Sequence, residues 1–282
     1  MLGAGWGLTQ PLTKIAVSTG YQPLGLMFWQ LTITGVVLLA MSAFKGLRLP
    51  LGWPYLWRYM LIAMVGTVIP NGLSYAAARH LPSGFLSIVI SLMPMFSLPL
   101  ALAMGLERLS IWRVLGVICG AVAIVMLTGP SANLPDREAV IWVLILTISP
   151  FMYALEGSWV SRFGILDLAP EQLLLGASLF GMAVVAPVAL LSGQWIAPTM
   201  PLGGPEYALI ASAIIHALMY TAYVWLVGRA GSVFASQVSY LVTGFGVFWA
   251  ILLLGESYAG WVWGAIAVMM LGLFLVRPRL GP

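Results

Sequence analysis

Ten long, almost uncharged apolar segments follow one another along this chain of 282 residues. They cover residues 1–18, 23–44, 54–78, 82–105, 110–128, 138–162, 169–191, 206–228, 232–254 and 258–276, and are called segments 1 to 10 below. A membrane-spanning helix needs about 20 mostly apolar residues. Because lipid offers the backbone no hydrogen-bond partner, continuous runs of this length predict helices rather than the alternating strands of a barrel. We therefore expect an all-α integral membrane protein with ten transmembrane helices.

The composition excludes several classes of protein. Only 7% of the residues are charged and 61% are hydrophobic, whereas a soluble domain has roughly 25% charged residues. So few charges do not cover the surface of a water-soluble globule, which excludes a cytosolic enzyme, an extracellular module and a disordered chain. The chain opens on apolar residues without a basic stretch or a small-residue cleavage pattern, so we expect no removable signal peptide.

Cofactor and metal sites are not expected. The single cysteine, Cys119, and the two histidines, His80 and His216, are too few for a disulfide framework or a Cys- or His-rich metal site. Phosphate-binding glycine loops, zinc-protease motifs and nucleophile elbows do not occur in the sequence. The net charge of +4 is better explained by basic loops held against anionic lipid than by a nucleic-acid partner.

Basic residues predict the orientation in the membrane. With the N-terminus inside, ten alternating helices place nine of the twelve Lys and Arg residues on the cytoplasmic side. These nine are Lys45, Arg48, Arg58, Arg108, Arg113, Arg162, Arg229, Arg277 and Arg279. The other three are Lys14, Arg79 and Arg137. Because Lys and Arg concentrate in cytoplasmic loops, we expect a multi-pass protein of a bacterial-type inner membrane with both termini in the cytoplasm.

A pattern repeats between the two halves of the chain. Glu107 lies 28 residues after Arg79, and Glu256 lies 27 residues after Arg229. Each half holds five segments, and an odd number gives the two copies opposite orientations. We therefore expect two inverted five-helix repeats, residues 1–130 and 138–282, around a central cavity, as in many secondary transporters.

Smaller features of the repeat predict structural roles. The pairs Gly116/Gly120 and Gly260/Gly264 allow close helix packing, within one bundle or in a homodimer. We favour packing within the bundle and expect a monomer or a weak homodimer. Glu107 and Glu256 are expected to stabilise the N-termini of segments 5 and 10 through the helix dipole.

Short motifs give the chain a family likeness. Segment 1 reads Trp6-Gly7-Leu8-Thr9-Gln10-Pro11-Leu12-Thr13-Lys14, segment 4 contains Ser91-Leu92-Met93-Pro94 and ends in Gly105-Leu106-Glu107, and segment 9 ends in Gly255-Glu256. In order and spacing they resemble the EamA branch of the drug/metabolite transporter superfamily, including its aromatic and amino-acid exporters. The resemblance implies ten helices, a cavity lined by helices 1, 3, 4, 6, 8 and 9, and cytoplasmic termini. In segment 9, Thr243-Gly244-Phe245-Gly246 stands where the counterpart of Pro94 is expected, so a helix break there is Gly-based or absent.

Three ionisable groups lie inside predicted spans: Lys14 in segment 1, Glu156 in segment 6 and His216 in segment 8. A charge inside a span costs about 2.5–3.5 kcal/mol, so each group is a candidate for coupling or gating. The structural alternatives are a lysine that reaches back to the membrane surface, a Glu156–Arg162 pair and a packed histidine.

Polar and aromatic side chains share helix faces with these groups. Tyr220 and Tyr223 follow His216 at the i+4 and i+7 positions of one face. The residues expected to bind substrate are Trp6, Gln10, Asn71, Tyr75, Ser91, Tyr153, His216, Tyr220, Tyr223, Gln237 and Tyr240. The alternative is that hydroxyls bond their own helix and that Tyr and Trp form interfacial belts.

Rings, hydroxyls and amides with few charges suit a small neutral or zwitterionic solute, whereas the phosphates of a nucleotide sugar require clustered Arg or Lys. We therefore expect a secondary transporter, not an enzyme, that exports small metabolites such as amino acids by alternating access. Proton coupling and facilitated diffusion are both open. The alternatives are a facilitative, channel-like pore and a membrane-embedded enzyme acting on lipid-linked substrates.

Overall fold

The computed structural model describes residues 1–108, 110–128, 137–197 and 200–275. Within these ranges the regular structure is helical, without strands, which confirms the predicted all-α class. The helices are α1 (Leu2–Ala16), α2 (Pro23–Phe44), α3 (Trp53–Ala63), α4 (Ile69–Ala78), α5 (Ser83–Ile90), α6 (Met93–Ala103), α7 (Ile111–Thr128), α8 (Arg137–Leu146), α9 (Ile148–Phe163), α10 (Pro170–Leu191), α11 (Gly204–Ala230), α12 (Ser232–Ala235), α13 (Val238–Leu254) and α14 (Gly260–Leu275).

Each predicted segment coincides with one helix or with two consecutive helices. Among the described residues, seven helical stretches are long and apolar enough to cross a membrane. They are Pro23–Phe44, Trp53–Ala78, Ser83–Ala103, Ala139–Phe163, Pro170–Leu191, Gly204–Ala230 and Ser232–Leu254. The remaining three segments correspond to the shorter helices α1, α7 and α14.

Prolines interrupt the helices of the first half. A π-helix, Met64–Val68, joins α3 to α4 directly before Pro70. Pro70 has no N–H to donate to the Gly66 carbonyl, and the Ile69 N–H reaches back to Met64, as in a wider turn. Ser91 and Leu92 separate α5 from α6 just before Pro94 for the same reason.

In segment 9 the break at residues 243–246 is absent, which is one of the two alternatives that the sequence left open. Helix α13 runs unbroken through residues 243–246, and the break lies at Ser236 and Gln237 instead. The Ser236 hydroxyl donates to the Val233 carbonyl at 2.9 Å, which gives the backbone a local alternative to the helix. Gly246 serves a close approach, because a Cβ there would overlap the Ser87 side chain of α5.

Small residues bring the helices together. Helix α1 packs against α11 and α13, α9 against α6 and α4, α2 against α10, and α7 against α14. A Cβ on Gly7 would lie 2.8 Å from the Gly246 nitrogen, and one on Gly272 would lie 2.7 Å from the Gly116 carbonyl. Gly116 of α7 therefore packs closely against Gly272 of α14.

Two charged side chains hold the turn between α4 and α5. The Glu256 carboxylate accepts from the N–H groups of Ser83 at 2.8 Å and Gly84 at 3.2 Å, and also from the Tyr258 hydroxyl. Lys14 Nζ donates to the carbonyls of Ala78 at 2.7 Å and Leu81 at 2.9 Å. The predicted target of Glu256 was therefore wrong: it caps α5 rather than α14, because the carboxylate meets the free N–H groups of a neighbouring helix.

Removal of the Glu256 cap is expected to destabilise the fold. Glu256→Ala leaves two backbone N–H groups and a hydroxyl without their acceptor, which we expect to cost about 1–3 kcal/mol of unfolding free energy. Thermal unfolding of the detergent-purified protein measures the effect. Asp167→Ala is the control, since that exposed carboxylate accepts only the Tyr55 hydroxyl among the contacts of the described residues. Equal midpoint shifts for the two variants would contradict this role of Glu256.

Candidate functional site

A polar, aromatic cavity lies between α1, α4 and α6 on one side and α9, α11 and α13 on the other. Its volume open to water-sized molecules is about 80 Å³, several times what a single water requires. The polar and aromatic lining consists of Trp6, Thr9, Gln10, Thr13, Gln30, Asn71, Ser74, Tyr75, Tyr153, Glu156, Ser212, His216, Tyr220, Tyr223 and Ser239. The apolar lining consists of Ile90, Met93, Ala235, Val238 and Val242.

A buried carboxylate lies at the cavity wall. Glu156 is 1% exposed, and its Oε1 accepts the Tyr220 hydroxyl at 2.5 Å. Its Oε2 is buried and has no hydrogen-bond partner among the residues that the structure describes. The alternative pair with Arg162 is therefore absent from the contacts of the described residues. Glu156 thus presents an unsatisfied acceptor to the interior.

The π-helix makes room for this pair. A Cβ on Gly66 would overlap the Tyr220 hydroxyl and would lie 2.7 Å from the carboxylate carbon of Glu156. The wider turn before Pro70 therefore brings bare backbone against Glu156 and Tyr220, and such turns are frequent at functional sites.

Four aromatic rings, those of Trp6, His216, Tyr220 and Tyr223, form a cluster at the cavity wall. The Trp6 ring centre lies 5.3 Å from that of Tyr223 and 6.3 Å from those of His216 and Tyr220. Trp6 Nε1 donates to His216 Nδ1 at 3.4 Å, which assigns the proton of neutral His216 to Nε2. That buried Nε2 and the Tyr223 hydroxyl find no partner within the described part of the chain. Both are thus available to a solute.

A second polar group lies on α4 and α9. The Tyr153 hydroxyl donates to Asn71 Oδ1 at 2.5 Å, while Asn71 Nδ2 and the Tyr75 hydroxyl lack partners among the described residues. The Pro70 carbonyl accepts the hydroxyls of Ser74 and Ser149, each at 2.9 Å. Both serine hydroxyls therefore have a backbone acceptor, and the Ser149 bond joins α9 to α4.

Eight of the eleven residues predicted to bind substrate line this cavity, and so do two of the three coupling candidates, Glu156 and His216. The eight are Trp6, Gln10, Asn71, Tyr75, Tyr153, His216, Tyr220 and Tyr223. Lys14 does not line it, because its ammonium group is bound to the carbonyls at the end of α4.

The other three predicted residues lie elsewhere. Ser91 is fully buried, and its hydroxyl donates to the Ile88 carbonyl at 2.5 Å. Gln237 lies in the break before α13, and Tyr240 packs against the apolar core. Val238 and Val242 present their shared face to the cavity, so Gln237 and Tyr240 lie off that face.

Sequence reasoning missed several polar lining residues. Gln30, Ser74 and Ser212 were not predicted, although each is a polar residue within an apolar segment. Gln30 lies on α2, a helix that the family resemblance does not assign to the cavity. The sequence signal that could have identified Gln30 was its polar amide in the middle of an apolar segment.

Comparison with known proteins relates this chain to membrane transporters. Residues 1–129 match the EamA-like transporter family. The inner membrane transporter YedA of Escherichia coli (strain K12) is 25% identical over 273 residues, covering 96% of this chain and 86% of that protein. A WAT1-related chloroplastic protein of Arabidopsis thaliana is 21% identical over 281 residues, covering 96% of this chain and 66% of that protein.

Residues 1–129 are thus EamA-like, in agreement with the resemblance of the sequence to the drug/metabolite transporter superfamily. A solved crystal structure has the same fold, with a TM-score of 0.70 at 20% identity over 98% of this chain and 94% of that chain. The EamA match and the apolar helices make the chain a multi-pass membrane protein of transporter type.

Gly66 and Gly72 provide a matched test of the cavity geometry. We expect Gly66→Ala to destabilise the protein by about 1–3 kcal/mol, because the added methyl overlaps Tyr220 and Glu156. Gly72→Ala, on the same stretch, meets only Met27 Cε at 3.9 Å and should be neutral or slightly stabilising. Thermal unfolding of both variants checks this, and a Gly66→Ala protein as stable as Gly72→Ala would overturn the assigned geometry.

Proposed function

We propose that this EamA-like protein is a secondary carrier that exports small neutral or zwitterionic metabolites, such as amino acids, by alternating access. The enclosed cavity carries this proposal, since it combines aromatic rings with unpartnered hydroxyl, amide and imidazole groups. Such a lining suits a small solute with an apolar body and polar ends. Among the described lining residues, Lys and Arg are absent, which disfavours phosphate-bearing solutes.

The helix packing supports an arrangement of ten spans in two inverted repeats, residues 1–130 and 138–282. In such repeats, each contact between two segments should recur between the two segments five places along the chain. The contact of α1 with α13 (segments 1 and 9) has its counterpart in that of α9 with α6 (segments 6 and 4). The contact of α1 with α11 (segments 1 and 8) has its counterpart in that of α9 with α4 (segments 6 and 3). The pairs α2–α10 and α7–α14 map onto themselves. Rocking of two such halves would expose one cavity to each side in turn.

The proposed orientation places both termini in the cytoplasm of an inner membrane. It rests on the distribution of the basic residues, nine inside against three outside. The proposed direction of net transport, out of the cell, rests only on the resemblance to exporters.

Proton coupling through Glu156 or His216 is a further part of the proposal. Both line the cavity, and both have an unpartnered buried polar atom within the described structure. A group that exchanges a proton with either side as the cavity opens links solute flux to the proton gradient.

Transport is tested by counterflow in liposomes that contain the purified protein. Vesicles loaded with an unlabelled amino-acid mixture should transiently accumulate a labelled amino acid of that mixture. The reason is that a carrier exchanges internal unlabelled solute for external labelled solute. Empty vesicles and protein-free liposomes are the controls. Labelled uptake that never overshoots equilibrium, together with a flux that does not saturate, would favour the channel-like pore.

Coupling is tested by the response of uptake to an imposed pH gradient. We expect Glu156→Gln to abolish the stimulation by the gradient at saturating solute, because the amide cannot release a proton. His216→Ala tests the other candidate in the same way. Glu171→Gln is the matched control, since Glu171 is also a buried carboxylate but pairs with Lys45 away from the cavity. Wild-type flux that ignores the gradient would exclude coupling and leave facilitated diffusion.

A further inference from the structure

We propose that the cavity recognises its solute chiefly by a cationic ammonium group, bound between the Glu156 carboxylate and the rings of Trp6, Tyr220 and Tyr223. This inference rests on the proposed function of the cavity as the transport site and names the chemical group that the site selects. The matching solutes are small primary amines with an apolar body, and amino acids that present their ammonium end to Glu156.

The first observation is the unsatisfied side of Glu156. Tyr220 donates to Oε1 at 2.5 Å, while Oε2 is buried and unpartnered among the described residues. A buried carboxylate oxygen without a donor or a cation is costly. Since Glu156 lines the cavity, an ammonium group there would supply both the donor and the charge.

The second observation is that the protein does not provide this charge itself. Lys and Arg are missing from the described residues that line the cavity. Lys14 is bound to backbone carbonyls at the end of α4, and Lys45 pairs with Glu171. The described protein thus supplies no positive charge to Glu156, so the Glu156 end of the cavity favours a cationic group of the solute over an anionic one.

The third observation is the aromatic cluster beside the carboxylate. Tyr220 bonds Glu156 directly, and its ring centre lies 6.3 Å from that of Trp6, which in turn lies 5.3 Å from that of Tyr223. Ring faces attract ammonium groups, and more strongly where water is excluded. A carboxylate bonded to one ring of this cluster distinguishes an ammonium from a hydroxyl or an acetamide of equal size.

The rest of the cavity sets the other end of the solute. Ile90 and Met93 provide apolar contact, while His216 Nε2 and Asn71 Nδ2 are donors without partners within the described chain. These donors accommodate the carboxylate of an amino acid without requiring it. We therefore expect an amine that lacks a carboxylate to bind as well.

Binding to the wild-type protein tests the proposal directly. The probes are phenethylamine, its N-acetyl derivative and 2-phenylethanol, titrated into the purified full chain and followed by calorimetry and thermal unfolding. We expect phenethylamine to bind at least about tenfold more tightly than either uncharged analogue, because one charge-assisted contact distinguishes them. Equal affinities, or tighter binding of the acetamide or the alcohol, would overturn the proposal.

Variants then assign the contact to its residues. Glu156→Gln and, separately, Trp6→Leu should each weaken phenethylamine binding by about tenfold or more. Glu156→Gln should leave 2-phenylethanol binding unchanged, since it removes the charge and keeps the shape. Glu171→Gln is the control and should bind phenethylamine as the wild type does. Unaltered phenethylamine binding in a folded Glu156→Gln or Trp6→Leu protein would contradict the assignment.

The outcome separates this inference from the proposed function. Saturable counterflow of an uncharged solute that does not bind through Glu156 would refute ammonium recognition and leave the carrier intact. If amine binding depends on Glu156 but no counterflow occurs, the ammonium subsite is supported and the proposed carrier function is refuted.

Discussion

The absence of hydrogen-bond partners in lipid is the constraint on which this structure depends. Every irregular stretch of backbone must find its partners within the protein, and the break around Pro70 shows how. The Ile69 N–H finds the Met64 carbonyl in the wider turn of the π-helix, and this turn presents Gly66 to the Tyr220–Glu156 pair. Irregular backbone and buried polar side chains therefore occur at one place. That place is the cavity, so the features that make the helices imperfect are those that give the bundle an interior able to receive a solute.

Glu156 connects this constraint to function. Lipid and packed helices offer a carboxylate little compensation, yet the chain keeps one at 1% exposure with a single tyrosine donor. Lys14 and Glu256 show the contrasting use of charge. Each binds backbone groups at the turn between α4 and α5, so each has partners supplied by helix ends. A charge with complete local partners stabilises the fold, whereas a charge with a missing partner is available to a ligand or a proton.

Helix positions were predictable because the length and apolar character of the segments follow from the bilayer. The face of each helix was predictable in part, since the i, i+4 and i+7 positions of His216, Tyr220 and Tyr223 share one side. Ser91 and Tyr240 could not be placed, because their orientation depends on helix breaks that the sequence does not locate. The break at Ser236 and Gln237 had no proline to mark it in the sequence. Gln30 was missed because the family resemblance, rather than its amide, decided which helices were considered.

The most direct test of the central claim, a solute-accessible cavity at the Glu156–Tyr220 pair, is single-cysteine labelling. Ser239 lines the cavity, and Ser97 is equally buried but packs outside the lining, with its hydroxyl on the Met93 carbonyl. In a Cys119→Ser background, Ser239→Cys should react with a small hydrophilic thiosulfonate reagent, while Ser97→Cys should not. Labelling at position 97 with none at position 239 would contradict the account.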